Sequence, residues 1–306
     1  MRIIFMGTPD FAVPTLESLI VHGYTICGVF TQPDRPKGRG HKLQAPPVKE
    51  LALRQGLPVY QPDTLRDRAV QEEIARLSAD VIVVVAYGKM LPREVLAMPK
   101  LGCINVHGSL LPKYRGAAPI QWAVLNGEST TGVTTMYMAE GMDTGDILLK
   151  AEVTVGQEET AGELFDRLKI LGAKLLVETL DYLNLGCLAP IPQDEAQATL
   201  APMLKKEMSV LDWTLPAQIL HDQIRGLNPW PCAIAMLNGK RLKLLSSRVI
   251  EGNDLPPGRV YVQNGEMMVS CGQQALRIVE LQTENGKRMG GREYLVGHSL
   301  EEAEFQ

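Results

Sequence analysis

Val81-Ile82-Val83-Val84-Val85 is a run of five β-branched residues with no polar interruption. A strand with one face in water alternates apolar and polar side chains, so a run this uniform belongs to a strand covered on both faces. Helices supply both covers in a parallel sheet built from crossover units. The flanking sequence keeps that rhythm. Short apolar runs at 2–6, 24–31, 103–106 and 132–138 accompany 81–86, while 11–21, 65–77, 119–125 and 161–185 carry helical spacing. The expectation is an α/β, Rossmann-like parallel-sheet domain over residues 1–189.

Beyond it the text changes. Ala, Gln, Asp and three prolines, Pro190, Pro192 and Pro202, break regular structure, so 190–207 reads as an extended linker. A helix at 216–226 then precedes strand-like stretches at 233–237, 242–249, 259–263, 267–270 and 276–281. Asn238-Gly239 and Asn264-Gly265 sit between them as hairpin turns. Five short strands in 208–306 suit a small barrel of the OB-fold type.

Composition narrows the function class. Hydrophobic content of 45%, charged content of 22% and a net charge of -4 exclude a disordered or membrane-embedded chain and name no partner by bulk charge. Cys27, Cys103, Cys187, Cys232 and Cys271 are odd in number, widely spaced and without metal-ligand spacing, which fits reduced core residues and no metal. The opening Arg2-Ile3-Ile4-Phe5 reads as a strand and not as a targeting segment, so a cytoplasmic protein without membrane association is expected. Met6-Gly7-Thr8-Pro9-Asp10 occupies the place of a dinucleotide-binding turn but holds one glycine only, which argues against a nicotinamide enzyme.

Asn105 and His107 stand two apart at the end of the 103–106 strand, so they point to the same side. An amide and an imidazole side by side can donate to one developing oxyanion, the need of acyl transfer. The loop Gly141-Met142-Asp143-Thr144-Gly145-Asp146 follows the next strand and is placed at the same carboxyl edge of the sheet, where Asp143 can orient His107 and manage a proton. The plainer alternatives are a structural histidine and a loop-capping aspartate. Cys103, two residues before Asn105, reads as packing rather than as a nucleophile.

Asn105-x-His107-Gly-Ser-Leu-Leu-Pro112, continued by Lys113-Tyr114-Arg115-Gly116, together with Asp143-Thr-Gly-Asp146, resembles the formyltransferases that use 10-formyltetrahydrofolate as co-substrate. The resemblance implies catalytic roles for Asn105, His107 and Asp143. It implies a folate site along Ser109, Leu110, Leu111 and Pro112, and a backbone clamp for the pterin at Tyr87, Gly88 and Leu91.

Substrate choice within that family is read from other segments. Residues 35–49 hold five Lys or Arg and no acid, which suits phosphates or a merely solvated loop. They resemble the insertion loop of the members that act on initiator methionyl-tRNA, and the match implies tRNA contacts at Arg39 and Lys42. The C-terminal region, with Asp212-Trp213 and Asn228-Pro229-Trp230-Pro231, resembles the tRNA-binding barrel of the same members. Trp213 and Trp230 themselves are expected in a core. Lys205 and Lys206 are open between tracking tRNA and being solvated, with Lys206 carried as a tRNA contact. The implied protein is a monomer that formylates the methionine amine. The alternatives are a relative acting on a small amine or sugar nucleotide, and a non-catalytic tRNA-binding protein.

Overall fold

A computed structural model describes residues 1–37, 42–298 and 303–305. The chain forms two compact units. Unit 1 holds Met1–Gly116, Gly132–Val153 and Phe165–Leu200; unit 2 holds Ala117–Thr131, Thr154–Leu164 and Ala201–Gln306.

Unit 1 is built on a sheet of β1 (Arg2–Gly7), β2 (Thr25–Phe30), β5 (Val59–Tyr60), β6 (Val81–Val85), β7 (Cys103–His107), β8 (Thr130–Tyr137) and β9 (Ile147–Thr154), with a separate hairpin of β3 (Arg35–Lys37) and β4 (Lys42–Gln44). The order is β5-β2-β1-β6-β7-β8-β9, and β5 through β7 pair in parallel. Its helices are α1 (Val13–Val21), α2 (Pro47–Arg54), α3 (Arg68–Arg76), α4 (Arg93–Leu96) and most of α6 (Ala161–Asn184). All five residues of β6 are buried, as the unbroken apolar run requires. Ile82 and Val84 pack with Ile4, Met6, Phe30, Ile74 and Val95 in one cluster. Their neighbours Val81, Val83 and Val85 point to the opposite face and are equally buried.

One strand departs from the all-parallel expectation. β8 runs antiparallel to β7, with Ile104 opposite Tyr137 and His107 opposite Thr134. The 138–146 loop therefore leaves beside the start of β7, not at its carboxyl end, and must fold back to reach His107. Strand periodicity is the same in either direction, so the apolar pattern carries no sign of this reversal.

Unit 2 centres on a sheet of β10 (Ala233–Leu237), β11 (Lys240–Ile250), β14 (Ala275–Thr283), β13 (Glu266–Ser270) and β12 (Val260–Gln263) in that order, with β15 (Arg288–Gly290) on β14. Phe305 bridges Leu237 at the end of β10, and Glu304 bridges Arg259 just ahead of β12. Residues 304–305 thus link the two edges of the sheet. The turn residues Asn238, Gly239, Asn264 and Gly265 all have positive φ, as two-residue hairpins demand. Inside, Leu220 and Ile224 of α7 (Ala217–Gly226) pack on Leu242, Leu244, Val269 and Ile278.

Trp213 meets its expectation, 6% exposed and stacked on Phe305 with ring centroids 5.1 Å apart. Trp230 does not: it is 52% exposed, because it stands in the proline-flanked turn ahead of β10 rather than on a strand.

Two segments preceding residue 190 belong to unit 2. α5 (Pro119–Leu125) lies against α7, where a Cβ on Gly226 would come within 3.0 Å of the Leu125 backbone nitrogen. The 154–164 segment is tied to α7 by Arg225, whose Nη1 donates to the carbonyls of Gly156 and Glu159 at 3.1 Å each. Arg225 also pairs with Asp222 at 2.6 Å, both side chains being buried.

Candidate active site

The site grows from the end of β7. Asn105 pairs with Val84 and Met136 through its backbone. Its partly exposed carboxamide has no hydrogen-bond partner among the described residues. His107, 5% exposed, is enclosed two residues on. Its Nε2 lies 2.9 Å from the Tyr114 carbonyl oxygen. A carbonyl only accepts, so Nε2 carries a proton, and in the neutral ring Nδ1 is left with its lone pair.

Nδ1 faces Asp143, whose Oδ2 is 3.7 Å away. That is too long for a hydrogen bond, as expected of two acceptors set face to face. A proton arriving at Nδ1 converts the repulsion into an ion pair. The carboxylate is held meanwhile by the Gly116 N–H, which donates to Oδ2 at 2.8 Å. Asp143 has φ +54, a left-handed conformation that Asp tolerates better than most residues.

The turn supporting His107 is fixed from 191–200. Thr199 Oγ1 accepts from the Tyr114 N–H at 2.8 Å, and the Thr199 carbonyl accepts from the Arg115 N–H at 2.8 Å. The Arg115 guanidinium donates to Glu195 through two bonds of 2.7 and 2.9 Å. This pairing raises the Arg115 pKa and lowers that of Glu195. Gln193 completes the group, accepting from Arg115 at Oε1 and donating from Nε2 to the carbonyls of Asp143 and Gly145 at 2.8 and 2.7 Å. Arg115 appears in the motif, but Gln193, Glu195 and Thr199 lie in a stretch whose composition reads as linker. Their involvement has no local signal, since it consists of hydrogen bonds to residues 48 or more positions away.

The remaining expected site residues divide by exposure. Leu110, Pro112 and Gly88 are accessible, whereas Ser109, Leu111, Tyr87 and Leu91 are buried. The Ser109 hydroxyl donates to the Lys113 carbonyl at 2.6 Å, and Thr134 Oγ1 links the Ser109 carbonyl to the Leu111 N–H. These bonds shape the 109–113 loop from inside. At the end of β6 the Tyr87 carbonyl accepts from Thr8 Oγ1 and Gln32 Nε2, each at 3.1 Å, which joins the exits of β1, β2 and β6. Ligands bind in α/β sheets at such a switch in strand order. Thr8 and Gln32 are contributors that the glycine count at 6–10 did not single out. Cys103 is 2% exposed, and burial pushes its thiol up to about 12, so it packs and does not attack.

Arg39 lies outside the described residues. Lys42 is placed by its backbone in β4, its side chain being outside the description. Lys206 is exposed and opens the short helical turn Lys206–Ser209. Among the described residues no group of His, Cys, Asp and Glu is arranged to hold a metal ion, and no helix is long and apolar enough to cross a membrane.

Two family profiles match the chain: Formyl transferase over residues 1–180, and Formyl transferase, C-terminal domain, over 203–299. The chain is similar to the methionyl-tRNA formyltransferase of Caldanaerobacter subterraneus, 50% identical over 305 residues, which cover 99% of this chain and 98% of that one. The enzyme of the same name from Alkaliphilus oremlandii is 51% identical over 98% of each chain. Among solved structures, an N-formyltransferase from Helicobacter canadensis, in complex with folinic acid and dTDP-3-aminofucose, superposes with a TM-score of 0.70 at 16% identity, covering 91% of this chain and 99% of that one. HypX from Aquifex aeolicus in complex with tetrahydrofolic acid gives 0.65 at 17% identity over 96% of this chain, which spans 47% of HypX. At these identities the structural likenesses speak for the fold alone.

Proposed function

The chain belongs to the formyl transferase family, and on that premise we propose that it transfers the formyl group of 10-formyltetrahydrofolate to the free amine of initiator methionyl-tRNA. The observation that carries this reading is the 50% identity, over nearly the whole length of both chains, to relatives named methionyl-tRNA formyltransferase. It spans the catalytic segment and the barrel together.

In the proposed reaction the methionine nitrogen attacks the formyl carbon and forms the new C–N bond, and the C–N10 bond of the folate breaks as the resulting intermediate collapses. The Asn105 carboxamide, free of other partners among the described residues, donates to the oxyanion of the tetrahedral intermediate. His107, kept in one tautomer by Tyr114, offers Nδ1 as its reactive nitrogen and joins Asn105 as a donor when protonated. Asp143, 3.7 Å from that nitrogen, takes the proton shed by the amine, and N10 gains one proton as it departs, so that the net transfer is from amine to N10. Tetrahydrofolate and N-formylmethionyl-tRNA leave. Holding amine, formyl carbon and donors in one geometry supplies the rest of the acceleration.

The accessible Leu110, Pro112 and Gly88 are proposed to face the folate, with Ser109, Leu111, Tyr87 and Leu91 supporting that surface from beneath. Arg39, Lys42 and Lys206 are proposed tRNA contacts. The domains are proposed as 1–189 for catalysis and 208–306 for tRNA, in a monomeric cytoplasmic enzyme; the five free cysteines support the compartment. Purified protein supplied with formyl-folate and charged initiator or elongator methionyl-tRNA is expected to formylate the initiator form preferentially. Absence of formylmethionine would overturn the reading.

A further inference from the structure

We propose that Gln193 is a positioning residue that sets Asp143 for proton transfer; the inference rests on the proposed role of Asp143. The Gln193 carboxamide has a single workable orientation. Arg115 donates twice to Oε1, at 3.1 and 2.8 Å, so Oε1 faces the guanidinium and Nε2 is turned to the 143–145 loop. There its two hydrogens meet the carbonyls of Asp143 and Gly145 at 2.8 and 2.7 Å. Both donors and the acceptor are used.

The contact acts where the loop needs it. Because β8 is antiparallel to β7, the loop must double back to bring Asp143 to His107. Asp143 does so with φ +54, a conformation that persists only when the surroundings hold it. Gln193 grips the backbone on both sides of Thr144, and Gly116 holds the carboxylate itself. Arg115 in turn is anchored by Glu195. Gln193 thus acts on the separation of carboxylate and imidazole while touching neither group.

The test is a set of double-mutant cycles on formylation by the full chain. Gln193→Ala is expected to lower kcat by between about tenfold and a hundredfold, the effect of a reacting group displaced by about 1 Å, with KM for both substrates little changed. Added to Asn105→Ala, the same change should multiply the loss; added to Asp143→Ala it should cost less than about twofold, since its route of action is already gone. Gln193→Glu, which keeps the Arg115 contacts and turns a carboxylate oxygen on the two carbonyls, should match Gln193→Ala and serves if the latter fails to fold. Equal losses in both backgrounds, or an effect on KM alone, would overturn the proposal. Full turnover in Asp143→Ala alone would instead remove the parent assignment, and this inference with it.

Discussion

His107 Nδ1 and Asp143 Oδ2 face each other across 3.7 Å without a hydrogen bond, because the Tyr114 carbonyl already claims the ring proton at Nε2. The pair is therefore set to receive a proton rather than to share one at rest. Replacing Asp143 with Asn separates charge from shape: the carboxamide oxygen still accepts from Gly116, but the base is lost. kcat is expected to fall about 10²-fold or more, read from steady-state formylation, with the loop undisturbed. A drop confined to KM would show that Asp143 binds substrate instead.

Asn105 is tested separately. Asn105→Ala removes one oxyanion donor that nothing else in the described structure engages, and turnover is expected to fall by about 10². A loss of less than about threefold would count against the oxyanion role, given the range for single donors.

Gly145 is required by space. A Cβ there would stand 1.8 Å from the Tyr137 carbonyl oxygen, with no side chain to move aside. Gly145→Ala must shift the backbone that carries Asp143, so activity should fall while the barrel core stays intact. Amide exchange can localise the change: increased exchange confined to the loop and its flanking strands is the expected pattern, and wild-type activity would show that the loop adapts freely.

The sequence discloses much of this fold where one physical cause dominates. Val81–Val85 is legible because burial on both faces leaves no room for a polar residue, and Pro119–Leu125 and Ala233–Leu237 are found at the bounds read from sequence. The direction of β8 escapes, since alternation has no sense of direction. β5 escapes because two residues give no period. The pairing of Asn105 with His107 follows from strand geometry alone, whereas Gln193 is an ordinary polar residue among prolines until its long-range bonds are seen. Trp230 misleads for a related reason, since residue type predicts burial only on average.

Trp213 offers a test of the barrel core. Its indole nitrogen is buried without a partner among the described residues, while its ring stacks on Phe305. Trp213→Phe keeps an aromatic face and deletes the unsatisfied donor, so the cost should stay below about 1.5 kcal/mol. Trp213→Ala should cost about 3–5 kcal/mol. Chemical denaturation distinguishes the two, and equal losses would mean that the lost volume outweighs the stacking.

Cysteine labelling reports on burial through pH. Thiolate is the reactive form, and burial pushes the Cys103 and Cys271 thiols up to about 12, which depletes thiolate there at any working pH. At pH 8 an alkylating reagent should modify the exposed Cys187 first. Cys103 and Cys271 should be modified last even as the pH is raised toward 10, as followed by peptide mass mapping. Early loss of activity with Cys103 labelled would restore it as a candidate nucleophile.

α5 and the 154–164 segment count, by packing, with the unit that follows residue 200. A barrel transplanted from a relative by cutting at 190–207 would arrive without Leu125, against which Gly226 packs, and with Arg225 bereft of the carbonyls of Gly156 and Glu159. Chimeras in this family are thus better spliced in three pieces than in one, carrying 117–131 and 154–164 along with the barrel they complete.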